Sequence, residues 1–326
     1  MGRIVAYFRV KEAGSTMRRE ILGGATTFAT MSYIIFVQPT VLSMAGMDFG
    51  SVMLATCIAS AVGCFLMGIL ANYPFALAPG MGQNFLFSFT ICLGMGFSWQ
   101  SGLAIVLCSG IIFTVLSLLG FREKVLDVFP SCLKNAVGPA IGLFIAFIGL
   151  QWSGIVVLNP ATMVTLGNLK HAAPLTALFG LLVMAALLAR NIHGSILIGI
   201  LTTTIVGLLL GVIPRELPEF NLSGATFFQL DFSELAVRWQ DALLAIALFF
   251  FLDLFDTVGT LVGVGTQAGY MSEDGRLPRA GRAFLADALA TCTGALCGTS
   301  TVTSYIESAT GVAAGARTGL AALTTG

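Results

Sequence analysis

Apolar segments of membrane-spanning length follow one another along almost the whole chain, and that pattern leaves few ways to fold it. About ten can be read, at 21–45, 51–71, 80–95, 100–120, 135–153, 173–189, 194–213, 241–263, 283–297 and 306–323, against the roughly 20 residues a spanning helix needs. Hydrophobic residues make up 56% of the 326 and charged residues 10%, where a soluble domain carries about 25% charged. In lipid every backbone amide must be satisfied within the protein. The expected fold class is therefore an all-α polytopic membrane protein.

Within this apolar background three carboxylates fall where charge is expensive: Asp253 and Asp256 in "LFFFLDLFDTVGTLVG" and Glu307 in "GTSTVTSYIESATGV". A charged side chain at mid-bilayer costs about 2.5–3.5 kcal/mol on insertion scales. Such residues face an internal cavity and handle a substrate, an ion or a proton, so a transporter is the first reading. Asp287, near a segment end, reads as structural, and Gln38 in the first segment has no role assigned.

Two segments are interrupted. In "NYPFALAPGMGQNFLFSF", Pro74, Pro79, Gly80 and Gly82 rule out a continuous helix. "ALA" before Pro79 is expected to be extended, with a helix starting near Gly82 or Gln83. In "CGTSTVTSYIESATGVAAGARTGL" the β-branched run "TSTVTSYI" predicts a short strand, with a helix beginning near Glu307 or Ser308. Paired with each other, the two extended pieces would satisfy their amides. Such broken segments in corresponding halves are the signature of an inverted repeat with a site between them.

With the N-terminus in the cytoplasm, Arg3, Arg9, Lys11, Arg18, Arg19, Arg122, Lys124, Lys134, Arg190, Arg276, Arg279 and Arg282 lie inside, and Lys170, Arg215 and Arg238 outside. That bias fixes the orientation and predicts a multi-pass protein of the plasma or inner membrane. The loop at about 214–240 reads as external surface. Seven cysteines, mostly inside apolar runs, read as packing residues rather than a disulfide or zinc framework. With net charge zero, nothing suggests nucleic acid. His171 and His193, at segment ends, do not suggest a metal cluster.

Four motifs in order, "TTFATMSYIIFVQP" (26–39), "ALAPGMGQNFLF" (76–87), "FFFLDLFDTVGTL" (249–261) and "GTSTVTSYIESATGVAAGARTGL" (298–320), resemble the guanine/hypoxanthine permease branch of the nucleobase–cation symporters, the superfamily that includes xanthine and uracil permeases. The resemblance implies fourteen spans in two inverted repeats of seven, with short strands in broken spans 3 and 10. This chain would hold about ten spans and lack the last four. It implies a cytoplasmic segment at 1–20, a core domain from 21–134 and 241–326, and a gate domain at 135–240. Substrate would sit between the strands of spans 3 and 10. The family's acids on spans 8 and 10 match Asp256 and Glu307, its polar residue on span 3 matches Asn84, and Asp253 is the second acid of the span 8 motif. Gln83 stands where an apolar residue is expected.

The implied function is uptake of guanine, hypoxanthine or adenine by proton symport. Asp256, Glu307, Asn84, Asp253 and Gln83 would bind substrate, and Glu307 and Asp256 would couple the proton, with sodium the weaker expectation. No cofactor and no metal are expected. The partners are a purine nucleobase, a proton and the lipid bilayer, with a homodimer as the candidate assembly. Phe85, Phe87 and Phe89 are stacking candidates, although 25 phenylalanines cannot all be ligands. The rivals are a uracil, xanthine or anion transporter on the same fold and, remotely, an intramembrane aspartyl protease. "DTVG" at 256–259 has one residue too many for the protease motif and no second copy. "GVGTQAG" (263–269) is not a dinucleotide fingerprint, and no P-loop is present.

Overall fold

The computed structural model describes residues 6–120, 131–190, 192, 195–213, 225–272 and 277–326. In chain order the elements are α1 (Met17–Met31), α2 (Ile34–Ser43), α3 (Phe49–Leu66), β1 (Leu77–Pro79), α4 (Met81–Phe85), α5 (Trp99–Leu118), α6 (Ser131–Trp152), β2 (Val156–Asn159), β3 (Met163–Leu166), α7 (Ala172–Ala189), α8 (Ser195–Leu209), α9 (Ser233–Val237), α10 (Trp239–Gln267), α11 (Ala280–Cys297), β4 (Val302–Ser304), α12 (Ser308–Ala313) and α13 (Gly319–Thr325). The helix after α3 continues as a π-turn, Met67–Ala71, and the one after α4 as a π-helical stretch, Leu86–Gly94. Two compact units are present, Met1–Gly138 with Phe220–Gly326, and Pro139–Glu219.

Among the described residues five helical stretches are long and apolar enough to cross a membrane: Met17–Ser43, Phe49–Ala71, Trp99–Leu118, Ala172–Ala189 and Trp239–Gln267. Gly142–Trp152 and Ile198–Leu209 are shorter apolar helices. The segment expected at 80–95 is helical from Met81 to Gly94, with its break just before it at β1, and the one at 306–323 is interrupted between Ala313 and Gly319. Large hydrophobic side chains cover the outside: Leu93 on the π-helical stretch is 58% exposed and Leu118 on α5 67%. In water this would be an aggregation surface; in lipid it is the solvated face.

In the larger unit, short polar residues start the helices. Asp48 Oδ2 accepts the Ser51 amide at 2.8 Å to cap α3, and Ser98 Oγ accepts the Ser101 amide at 3.3 Å to cap α5. The π-turn after α3 ends at Asn72, whose left-handed backbone (φ 54°) suits an asparagine. Its side chain ties two distant segments, donating to Phe8 O at 3.0 Å and accepting from the Gly319 amide at 2.8 Å. At Gly68 the π-turn touches the start of α13, and a Cβ there would lie 2.6 Å from Gly319 O. Only glycine allows that approach.

β1 and β4 pair antiparallel, with Leu77 opposite Ser304, Ala78 opposite Thr303 and Pro79 opposite Val302. Flanking bonds extend the ribbon: Gly80 N donates to Thr301 O and Tyr305 N to Ala76 O, both at 2.9 Å. Side chains supply what so short a ladder cannot. Ser308 Oγ accepts the Ala76 amide at 2.9 Å, and Asp287 Oδ1 accepts the Ser304 amide at 2.8 Å. Every residue of both strands is buried, as backbone at membrane depth must be.

Past α12 the chain breaks again. Buried Glu20, on α1, accepts the amides of Arg317 at 2.9 Å and Thr318 at 3.1 Å, while Arg317 Nη1 donates to Val312 O at 2.7 Å. A carboxylate thus caps the start of α13 and a guanidinium the end of α12, each complementing the local dipole. The sequence reading, one apolar segment at 306–323, missed this second break.

The stretch 225–238 is largely at the surface, as expected, and is tied to the larger unit at three points. Thr226 is buried against Gly298, Phe228 N donates to Leu296 O at 2.8 Å, and Glu234 Oε2 accepts the Ser98 amide at 3.1 Å. Glu216 and Glu219 lie outside the described residues. In the smaller unit, α7 and α8 pack where Gly180 meets Thr203 and Gly199 meets Met184, and β2 pairs with β3 in a hairpin (Val156 opposite Leu166) that the sequence reading did not include.

Candidate functional site

The β1–β4 ribbon sets the geometry of the site. α4 leaves β1 through Gly80, where a Cβ would collide with the Gln83 carboxamide. Gln83 and Asn84, on its first turn, are both fully buried. The α10 helix passes the ribbon at Thr257, whose hydroxyl lies 3.1 Å from that of Thr303. This brings Asp256 to α4, and Gln83 Nε2 donates to Asp256 Oδ2 at 3.1 Å. Gln83, singled out as an oddity of the motif, is thus the direct partner of Asp256.

Glu307 sits just before α12. Its Oε1 accepts the Tyr33 hydroxyl at 2.6 Å. Tyr33 lies at the break between α1 and α2, within the first motif, and sequence reasoning did not select it. The signal available was a polar aromatic residue inside an apolar run. Tyr305 is buried and donates to Pro79 O at 2.6 Å, pinning β4 to β1 beside the acid.

Asn84 Oδ1 accepts a very short hydrogen bond from Ser300 Oγ. Ser300 also takes a hydrogen bond from Gln38 Nε2 at 3.1 Å, and Gln38 Nε2 donates to Thr299 Oγ1 at 2.8 Å. Among the described residues, Gln83 Oε1 and Asn84 Nδ2 are buried side-chain atoms with no hydrogen-bond partner. Buried polar atoms are nearly always paired, so an unpaired acceptor and an unpaired donor on consecutive residues mark where a polar ligand could bind.

Asp253 is buried and turned to another neighbour: Thr291 Oγ1, on α11, donates to its Oδ2 at 3.3 Å. Three residues along a helix leave side chains about 60° apart, and here Asp253 reaches Thr291 of α11 while Asp256 reaches Gln83 of α4. Asp287, read as structural, accepts from Thr257 at 2.6 Å and from the Ser304 amide and hydroxyl at 2.8 and 2.9 Å. Of the aromatic candidates, Phe85 and Phe89 stack on each other with centroids 5.9 Å apart, and Phe87 is buried against Gly102 of α5.

Among the described residues no group of His, Cys, Asp and Glu is placed to hold a metal ion, and Cys57, Cys64, Cys92, Cys108, Cys292 and Cys297 are free.

A guanine/hypoxanthine permease of Bacillus subtilis is 46% identical over 334 residues, covering 98% of this chain and 75% of the relative. An adenine permease of Escherichia coli is 38% identical over 326 residues, covering 100% of this chain and 73% of the relative. Among solved structures, the transmembrane domain of a cyanobacterial bicarbonate transporter superposes with a TM-score of 0.68 at 14% identity, covering 94% of this chain and 79% of that one. That likeness concerns the fold alone. The model of the Permease family matches residues 18–326. With its several spanning helices and its four motifs, the chain belongs to this family, the xanthine and uracil permease superfamily, as a multi-pass membrane transporter rather than an enzyme.

Proposed function

We propose that this permease takes up purine nucleobases, guanine and hypoxanthine with adenine as a further substrate, by proton symport. One observation carries the reading: Gln83 Oε1, an unpaired buried acceptor, and Asn84 Nδ2, an unpaired buried donor, sit beside Asp256, with Glu307 held at the other strand of the same ribbon. A purine edge is a row of adjacent donors and acceptors. Carboxylates accept its N–H groups in charge-assisted bonds roughly twice as strong as neutral ones, and an amide supplies the complementary donor. Asp253 supports α10 from the α11 side. An anion site should avoid several acids, so Asp256 and Glu307 count against an anion transporter on this fold.

The acids also carry the coupling. Out of water a carboxyl group is cheaper neutral than charged, so Glu307 and Asp256 are the proton carriers we assign. A proton taken up with the base outside and released inside drives accumulation. The core domain would be 21–134 with 241–326 and the gate domain 135–240, in the plasma or inner membrane with the N-terminus cytoplasmic. The compact unit formed by Met1–Gly138 and Phe220–Gly326 supports that division for the core, except that the stretch from Phe220 to 240 packs with the core rather than the gate. A homodimer is the assembly we expect.

The test is uptake of labelled hypoxanthine competed by guanine, adenine, uracil and sulfate, with imposed proton or sodium gradients. Asp256→Asn and Glu307→Gln should each abolish uptake at unchanged membrane expression. Normal uptake in both variants would refute the site, and uptake that follows sodium and ignores pH would refute the proton.

A further inference from the structure

Residues 6–19 form a folded pad against the larger unit. Phe8 and Val10 are buried and pack with Leu320 at the start of α13. The Ser15 amide donates back to Val10 O at 3.0 Å, and the Ser15 hydroxyl donates to Gly315 O at 3.3 Å. Asn72 Nδ2 donates to Phe8 O at 3.0 Å, so the segment is fastened near both ends.

Two spanning stretches fix the depth of this pad. It runs directly into α1, which opens the stretch Met17–Ser43. Tyr7 donates to Ile69 O at 3.4 Å, near the end of the stretch Phe49–Ala71. The start of one stretch and the end of the next lie at the same membrane face. Ile21, Leu22 and Ile69 are exposed and begin the lipid-facing surface there. Tyr7 itself is 61% exposed, an amphipathic ring of the kind that settles at a membrane–water boundary.

The pad is basic. Arg9, Lys11, Arg18 and Arg19 are all exposed. Two acids lie among or beside them. Glu20 is buried and accepts the Arg317 and Thr318 amides. Glu12 comes no closer to Arg9 than 3.9 Å, with both side chains over 70% exposed, and such surface pairs contribute little. Among the described residues Lys11, Arg18 and Arg19 have no ion-pair partner. The turn closed by Ser15 and Val10 keeps Arg9 and Lys11 close to the start of α1, so four cations are held together at the edge of the hydrocarbon layer.

We infer that this pad is a docking site for acidic phospholipid. Arg9, Lys11, Arg18 and Arg19 hold the headgroup phosphate, and the acyl chains lie along Ile21 and Leu22. A lipid fits better than a free anion because all four cations are exposed and border apolar side chains. The pad also covers α13 through Phe8 and Val10, so a bound lipid clamps the break between α12 and α13.

The test is native mass spectrometry of the purified chain in neutral detergent, titrated with phosphatidylglycerol and with phosphatidylcholine of the same acyl chains. Each basic side chain near an anionic lipid surface favours binding by about fivefold. Phosphatidylglycerol should therefore bind at least about tenfold more tightly than phosphatidylcholine, and the ratio should shrink as ammonium acetate is raised. Arg9→Gln/Lys11→Gln and Arg18→Gln/Arg19→Gln should each reduce the ratio by at least about fivefold, and the four changes together should abolish the preference. The wild-type ratio and its salt dependence give a reading that needs no variant to fold. Equal affinity for the two lipids, a preference that survives all four substitutions, or displacement of the lipid by inorganic phosphate at an equal concentration would overturn the inference.

Discussion

Replacing Asp287 tests whether the β1–β4 ribbon is held by side chains or by its own ladder. The residue is fully buried on α11, and its carboxylate receives the Ser304 amide at 2.8 Å, the Ser304 hydroxyl at 2.9 Å, Thr257 at 2.6 Å and Thr303 at 3.4 Å. These donors are not equivalent. Hydroxyls can rotate, and Thr257 already has the Asp253 carbonyl at 2.8 Å as a second acceptor. The Ser304 amide is fixed by the strand and has nowhere to turn. A hydrogen bond to a charged group contributes roughly 1.5–3 kcal/mol. Losing the fixed bond, with partial losses at the hydroxyls and some relief from burying one charge fewer, gives about 3 kcal/mol for Asp287→Ala. Asp287→Asn keeps one carbonyl oxygen for the amide and should cost about 1 kcal/mol. Thermal unfolding of the purified protein in detergent, followed by tryptophan fluorescence, should place the variants in the order wild type, Asn, Ala, separated by several degrees. Hypoxanthine binding should survive in the Asn variant, because Asp287 touches the strand and not the ligand. An Ala variant that melts with the wild type would show that three residues of pairing hold the ribbon unaided.

Tyr33→Phe removes the donor that orients Glu307 and should weaken hypoxanthine binding by about tenfold, the lower end of a charge-assisted bond; wild-type affinity by titration would show that Glu307 is positioned by other contacts. Gly68→Ala sets a methyl group 2.6 Å from the Gly319 carbonyl and should cost about 1–3 kcal/mol of packing strain, visible as a smaller monodisperse peak in size-exclusion chromatography; an unchanged profile would mean that the π-turn and α13 can move apart freely.

What could be read from the sequence is what lipid forces on a backbone. Pro79 and the run of Thr and Ser before Tyr305 break helical geometry, and unpaired amides are not tolerated at depth, so the two breaks had to find partners. Asp256 and Glu307 could be selected because charge is costly there. Glu20 and Asn72 illustrate what sequence could not supply. One looks like an ordinary first-turn acid and the other like a segment-end asparagine, yet each reaches residues about 250–300 positions away to cap the α12–α13 break. Tyr33 and Glu307 meet across 274 positions in the same way. Periodicity reports which face of a helix is apolar and says nothing about which distant polar group it will meet. The docking of the stretch 225–238 was illegible for a related reason. Its charge suggests a surface, while its docking depends on Thr226 filling the space left by the absent side chain of Gly298.

The ribbon also dictates an order of events during biogenesis. β1 and β4 are separated by more than two hundred residues, and at about 5–20 residues per second β1 leaves the ribosome roughly 10–45 s before its partner exists. Through that interval the amides of Ala76 and Gly80 and the carboxamides of Gln83 and Asn84 must be kept wet or shielded by the insertion machinery. The ribbon, and with it the site proposed there, forms only once β4 has been made, and a helix inserted early cannot be locked in place until then.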